Sequence, residues 1–236
     1  MRAAPSSRRS ATALTELWPT IWLTLRLAGV TTLALIVIGT PIAWWLARSR
    51  MAYKELVAAL VALPLVLPPT VLGFYLLIAL GPSGPGGWIA GLWGGRTLAF
   101  SFTGLVIGSV LSSLPFMVQP LRIAFEAIGE ETLEVARTLG AKPHQILLRI
   151  GLPLALPGFA AGSVLTFAHT VGEFGVVLML GGNITGETRV LSVAIYDYVE
   201  RLQWTEAHLI ALGMVVFSFL VVSLTMLANR RVVRAW

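Results

Sequence analysis

The sequence predicts an all-α polytopic membrane protein of five transmembrane helices, with one polar loop between the third and the fourth. Three observations predict it. Of 236 residues, 56% are hydrophobic and only 12% are charged, about half the charged share of an ordinary soluble domain. Mean hydropathy is +0.83. The charges also leave long gaps. No Asp, Glu, Lys or Arg lies between Arg26 and Arg48, Glu55 and Arg96, Arg96 and Arg122, Arg149 and Glu173, or Glu206 and Arg230. Each gap holds the roughly 20 apolar residues that cross about 30 Å of hydrocarbon as a helix.

The gaps place spans near 20–46, 56–80, 98–121, 154–180 and 208–229, a single transmembrane domain over 20–229. A polar N-terminal tail (1–19) precedes it and a basic tail (230–236) follows. The tail carries Arg2, Arg8 and Arg9 ahead of an apolar run from Ile21 to Ala47. That run far exceeds the roughly 7–15 apolar residues of a cleavable signal, so it reads as a retained first span. It ends at Arg48-Ser49-Arg50. The second span contains Pro64, Pro68 and Pro69, which remove backbone donors; lipid tolerates this only where neighbouring helices or a wet cavity satisfy the freed carbonyls. Either a packing kink or a broken segment beside a translocation path fits. Gly81 to Gly87 then breaks any helix, and Trp88 and Trp93 in the loop 81–97 suit a membrane interface. The third span carries Gly104-x-x-x-Gly108 and Ser109-x-x-x-Ser113, and the fourth Gly158-x-x-x-Gly162. Small residues at that spacing let helix backbones approach closely.

Charge and composition exclude several functions. The net charge of +6 is spread over short loops rather than gathered in one stripe, so a bilayer, not nucleic acid, is the expected partner. Without cysteine there is no disulfide, thiol chemistry or cysteine metal site. Placing 48–54, 122–150 and the C-terminal tail in the cytoplasm gathers ten of the seventeen basic residues there. The positive-inside rule then favours an N-terminus outside and a C-terminus inside, although the three tail arginines oppose it.

The longest polar segment runs from Arg122 to Arg149, within a loop 122–153. Leu133, Ala136 and Leu139 suggest the apolar stripe of a short helix, with Glu130, Glu131 and Glu134 towards its start, where the dipole favours negative charge. Gly140 suits the left-handed residue that ends a helix, and Pro143 the first position of the next. Ile146, Leu147 and Ile150 face back towards the membrane.

Glu134-x-Ala136, then Gly140, then Ile150-x-Leu152-Pro153 resembles, at every spacing, the Glu-Ala-Ala cytoplasmic loop of ABC importer permeases; Val135 stands where that family has alanine. The resemblance implies that the helix before the glycine docks on a separate ATPase, with Glu134, Ala136, Leu139, Gly140, Ile150 and Pro153 as the coupling set. Pro64-Leu-Val-Leu-Pro-Pro-Thr-Val-Leu-Gly73, Gly172-Glu-Phe-Gly175 and Gly182-Asn-Ile-Thr-Gly-Glu-Thr-Arg189 further resemble the molybdate permease subunits of such importers. Sulfate permeases share the first two stretches more loosely. What the resemblance implies is a homodimer in the bacterial cytoplasmic membrane. Two copies of an ATPase would carry ATP-Mg, an extracytoplasmic binding protein would deliver molybdate, and this chain would bind no cofactor or metal. Tungstate or sulfate stays open as the oxyanion.

Glu173 is the carboxylate well inside a predicted span, one turn after His169. Such groups face the protein interior or a water path. Glu173 would repel an oxyanion, so a structural or gating role is expected, hydrogen-bonded to backbone near Gly172 and Gly175 or paired with His169. Ser163, Thr166 and Thr170 can donate to an anion, and Pro68 and Pro69 mark the second span's share of the path or gate. Two rival classes remain. A secondary transporter needs its own coupling-ion site and usually an internal repeat, and no repeat is visible. An intramembrane enzyme finds no His-Glu-x-x-His, no Gly-x-Ser-x-Gly and no phosphate loop.

Overall fold

The computed structural model describes residues 6–233, with side chains over 17–223. Helix α1 (Ser6–Arg48) runs unbroken for 43 residues past Pro19 and Pro41, so most of the polar N-terminal stretch is helical; Arg2 lies outside the described residues. Two of its buried threonines hydrogen-bond within the helix, whereas Thr31 Oγ1 is buried with no hydrogen-bond partner. Thr24 and Thr32 donate to the carbonyls of Thr20 and Ala28, each at 2.8 Å. That back-bonding lets hydroxyls sit in an apolar interior without an unmet donor.

The prolines of the second predicted span decide its shape. Helix α2 (Lys54–Ala62) passes through a 3-10 turn (Leu63–Leu65) and stops; α3 (Pro69–Leu80) leaves at 105°. Pro68 sits outside the first turn of α3 and Pro69 inside it, where a missing N–H costs no helix bond. The prolines therefore break the helix at an elbow. Short α4 (Pro85–Gly91) follows, exposing Trp88. Helix α5 (Phe102–Glu126) starts at Ser101, whose Oγ accepts from Gly104 N at 3.1 Å, a side-chain cap for one of the first free N–H groups.

The polar segment folds as α6 (Glu130–Thr138), α7 (Pro143–Ile146), a π turn (Leu147–Gly151) and α8 (Leu152–Leu154). Helix α9 (Leu156–Gly172) leaves this run at 71° and ends at Gly172. Short α10 (Gly175–Gly181), α11 (Leu191–Glu200) and α12 (Trp204–Val233) complete the chain. Among the described residues, α1, α5 and α12 are long and apolar enough to cross a membrane singly, and counting each bent pair as one span gives five. Of the C-terminal basic tail, Arg234 and the two residues after it lie outside the described residues.

Helix α5 is the centre, packed between α1 and α9. The Gly158/Gly162 spacing makes the close approach expected of it. A Cβ on Gly158 would lie 2.5 Å from Ala124 Cβ, and one on Gly162 3.2 Å from Met117 O. Three apolar clusters form the core, the smallest joining Leu17 of α1 to Ala194 and Ile210. Of the larger two, one joins the C-terminal halves of α1 and α5 to Leu133, Ala136 and Ile146 of the polar segment. The other joins the opposite ends of α1 and α5 to α10.

Candidate functional site: two broken helices and a polar loop

Two interruptions in helical structure meet, the Pro68–Pro69 elbow and the break between α9 and α10. Gly175 opens α10 directly against that elbow: a Cβ there would lie 2.7 Å from Pro69 Cβ and 3.3 Å from Thr70 N. Between them lies a cavity of about 540 Å³, lined by Pro69, Thr70, Ala168, His169, Glu173 and Phe174 among others. Pro68 is exposed beside it. Non-helical backbone at membrane depth is tolerated where it is buried in protein or lines a wet cavity; here Glu173 and Gly175 are buried and the elbow residues line the cavity.

Glu173 pins the break. Its side chain is only 4% exposed. Its carboxylate accepts from Val176 N at 3.4 Å in the first turn of α10, and its Oε2 lies 3.7 Å from His169 Nε2. Its carbonyl accepts from Ser192 Oγ at 2.6 Å, which ties the break to α11. The carboxylate thus has a backbone donor in α10, with the imidazole beside it. The imidazole stacks on Phe116 at 4.1 Å, and its Nδ1 shares a 2.9 Å hydrogen bond with Ser113 Oγ.

Ser113, His169 and Glu173 thus form a serine–histidine–carboxylate row. Ser113 is fully buried, and its hydroxyl also lies 3.1 Å from Thr170 Oγ1. A nucleophile must reach its substrate, and this one cannot. The row is a tie between α5 and α9. Thr170 donates to Thr166 O at 2.9 Å and so turns its hydroxyl to Ser113 of α5, Thr166 Oγ1 is buried with no hydrogen-bond partner, and neither threonine lines the cavity. Ser163 is half-buried one turn before Thr166 on α9. The polar side chains lining the cavity are His169, Glu173 and Thr70. Ser113, Thr70 and Phe116 escaped the sequence reading as site residues. Ser113 was visible only as one of a pair of small residues at helical spacing. Among the described residues, no group of three or more His, Asp or Glu side chains could hold a metal.

At the other end, α6 presents a mixed face. Leu133 and Ala136 are buried in the core of the chain itself, while Glu134, Val135 and Leu139 are exposed, Leu139 at 83%. The single stripe of Leu133, Ala136 and Leu139 does not form. Position 139 lies about 240° round the helix from 133, and α6 has already ended at Thr138. Gly140 takes φ +83° with open space around it, the left-handed turn the sequence requires. Gln145 Oε1 accepts from Lys142 N at 2.9 Å, capping α7. Ile150 packs on the core beyond it, and Pro153 sits in the single turn of α8.

A family model described as binding-protein-dependent transport system inner membrane component matches residues 39–236. The chain belongs to that family. It is 60% identical over 201 residues to the molybdenum transport system permease protein ModB of Azotobacter vinelandii, covering 85% of this chain and 89% of that one. To ModB of Escherichia coli (strain K12) it is 38% identical over 183 residues, covering 78% and 80%. Its fold matches a chain of a bacterial alginate ABC transporter crystallised in complex with an alginate pentasaccharide-bound periplasmic protein, with TM-score 0.74 and 21% identity over 92% of this chain and 79% of that one. It also matches a chain of the MetNI methionine ABC transporter in an inward-facing conformation, with TM-score 0.69 and 22% identity over 94% and 96%. This is an all-helical ABC importer permease fold, and the chain is a multi-pass inner-membrane permease.

Proposed function

We propose that this chain is the molybdate-conducting permease subunit of an ATP-driven importer, working as a homodimer. Two copies of a separate ATPase dock on the polar segment, and an extracytoplasmic binding protein delivers the oxyanion. The N-terminus lies outside and the C-terminus in the cytoplasm. The observation that carries the reading is the 60% identity to a molybdenum permease over 85% of the chain. The geometry supports it in two ways. The cavity at the Pro69–Gly175 contact lies where two interrupted helices can separate or close, as alternating access requires. Glu134, Val135 and Leu139 are exposed beside the fixed turn at Gly140, a short apolar and acidic edge for a partner to grip. Ala136 supports that edge from within its own core. ATP and Mg²⁺ belong to the partner; this chain carries no phosphate loop.

The test is uptake into vesicles holding the permease, its ATPase and its binding protein. Radiolabelled molybdate should accumulate only with ATP, and unlabelled molybdate should compete better than sulfate. Uptake driven by an ion gradient without the ATPase would overturn the reading in favour of a secondary transporter. Preferential competition by sulfate would reassign the oxyanion. Tungstate, the closest mimic in charge and shape, is expected to compete.

A further inference from the structure

Arg48 ends α1 and reaches the polar segment from the side. Its Nη2 donates to the carbonyls of Phe125 and Ile128, at 2.5 and 2.9 Å, just where α5 runs out of helical partners for its last carbonyls. Its Nη1 donates to Glu130 Oε1 at 3.1 Å, the first residue of α6. The guanidinium lies over the Trp44 ring, 5.4 Å from its centroid. Trp44 in turn meets Phe125 edge-on at 5.1 Å and crowds Gly151, where a Cβ would lie 2.8 Å from the indole. One turn of α1 therefore touches the end of α5, the start of α6 and the π turn that leads into α9. Arg48 is 14% exposed while its partner Glu130 is 51% exposed, so the link runs from the covered end of α1 to the surface of the docking helix. Arg137, on the same helix, lies 3.7 Å from the other Glu130 oxygen and stays with α6 when it moves.

We infer that Arg48 is a positioning residue for transport: it makes α1 and α5 follow α6, so that movement of the docked helix reaches the cavity instead of being absorbed by the loop. The inference rests on the proposal that α6 is the ATPase contact. Its chemistry favours arginine specifically. A planar fork can serve two carbonyls and a carboxylate at once, whereas lysine offers a single point charge.

The experiment uses the permease assembled with its ATPase and binding protein in proteoliposomes, with ATP hydrolysis and molybdate uptake measured on the same vesicles. Arg48→Gln should keep hydrolysis while lowering molybdate moved per ATP by about tenfold, within the 5–150-fold range of ordinary couplings. Arg48→Lys should recover part of that ratio. Glu130→Gln, which leaves the carbonyl contacts intact, should lower the ratio less, and serves where Arg48→Gln fails to assemble. The double variant should resemble Arg48→Gln alone. Hydrolysis and uptake falling together in both single variants, or an unchanged ratio, overturns the inference. A separate measurement isolates the proposal beneath it: Val135→Cys should be shielded from an impermeant maleimide by the ATPase. Shielding with an unchanged Arg48→Gln ratio discards Arg48 alone, and no shielding discards α6 as the contact.

Discussion

Replacing Gly175 with alanine should pull apart the contact on which the cavity depends. The new Cβ would stand 2.7 Å from Pro69 Cβ, with Pro69 C and Thr70 N both at 3.3 Å. Carbon atoms are at ease near 3.5–4.0 Å, so nearly an ångström must be recovered. The obstacle is a proline ring joined to backbone at the elbow between α2 and α3, not the tip of a flexible side chain. Overpacking of this kind costs roughly 1–3 kcal/mol, and alanine's better helical propensity returns only about 0.5–1 kcal/mol. Gly172, three residues earlier at the end of α9, has nothing within 4 Å of its would-be Cβ, so the same substitution there meets no clash and should be neutral or slightly stabilising. The pair is matched in chemistry and differs in contact. For chains of this size about 1 kcal/mol moves the midpoint by about 2–4 °C, so the two variants should part by several degrees. Tryptophan fluorescence on heating detergent-purified protein reads the midpoints, and molybdate uptake should fall only for Gly175→Ala. Equal midpoints would refute the claim that the two breaks brace one another.

Three further outcomes follow from single contacts. Gly140→Val places a β-branched residue at φ +83°, costing about 1–2 kcal/mol or more. Because its surroundings are empty the strain is purely local, so ATP hydrolysis should continue while uptake falls, and Gly140→Asn should be milder; normal uptake by the valine variant contradicts this. Ser113→Ala removes the partner of His169 Nδ1 and Thr170 and should lower stability by about 1–2 kcal/mol in a denaturation series, since the groups left behind are buried or half-buried. Asp197→Asn weakens contacts to Arg189 at 2.8 Å and Arg201 at 3.0 Å; with Asp197 and Arg189 both largely buried, about 2 kcal/mol of thermal stability should go, whereas Arg201→Gln, which removes the exposed partner, should cost well under 1 kcal/mol.

The sequence made the helical layout legible because it is written in charge spacing, a local quantity. Arg26 to Arg48 lies within α1 and Arg96 to Arg122 overlaps most of α5, although α1 starts at Ser6, well before the expected residue 20. Gly140 and Pro143 likewise mark their turns through their own backbone chemistry. The broken helices are different. The stretch 154–180 reads as one apolar window, yet α9 stops at Gly172 and Glu173 turns to ψ 127°. What holds that turn comes from elsewhere: Ser192 reaches the Glu173 carbonyl and Pro69 packs on Gly175. No window of sequence contains those partners together. The site was legible in the same uneven way. His169 and Glu173 stand out as ionisable groups in an apolar run, while of the hydroxyls near them Thr170 turns to Ser113 of α5 and Thr166 is buried outside the cavity lining. One helical turn separates a residue lining the cavity from one packing its wall, and only the neighbouring helix decides which is which.

The placement of the polar groups has a mechanical consequence. Glu173 brings a carboxyl group to a cavity proposed to pass anions, yet that group accepts from Val176 N, lies beside His169 and is almost wholly covered. A group so held acts on the cavity mainly through what it fixes. It orients the imidazole, and it anchors the first turn of α10 against Pro69. Any movement that separates the Pro69 elbow from Gly175 must also disturb α10, and through the Ser192 hydroxyl it must disturb α11. At the far end, α5 and α9 meet through Gly158 and Gly162 with no room for a side chain, so they can rock together more readily than they can slide. Motion imposed near Arg48 and Gly151 is therefore carried along stiff helices. The place with freedom to respond is the junction where backbone hydrogen bonding is already interrupted.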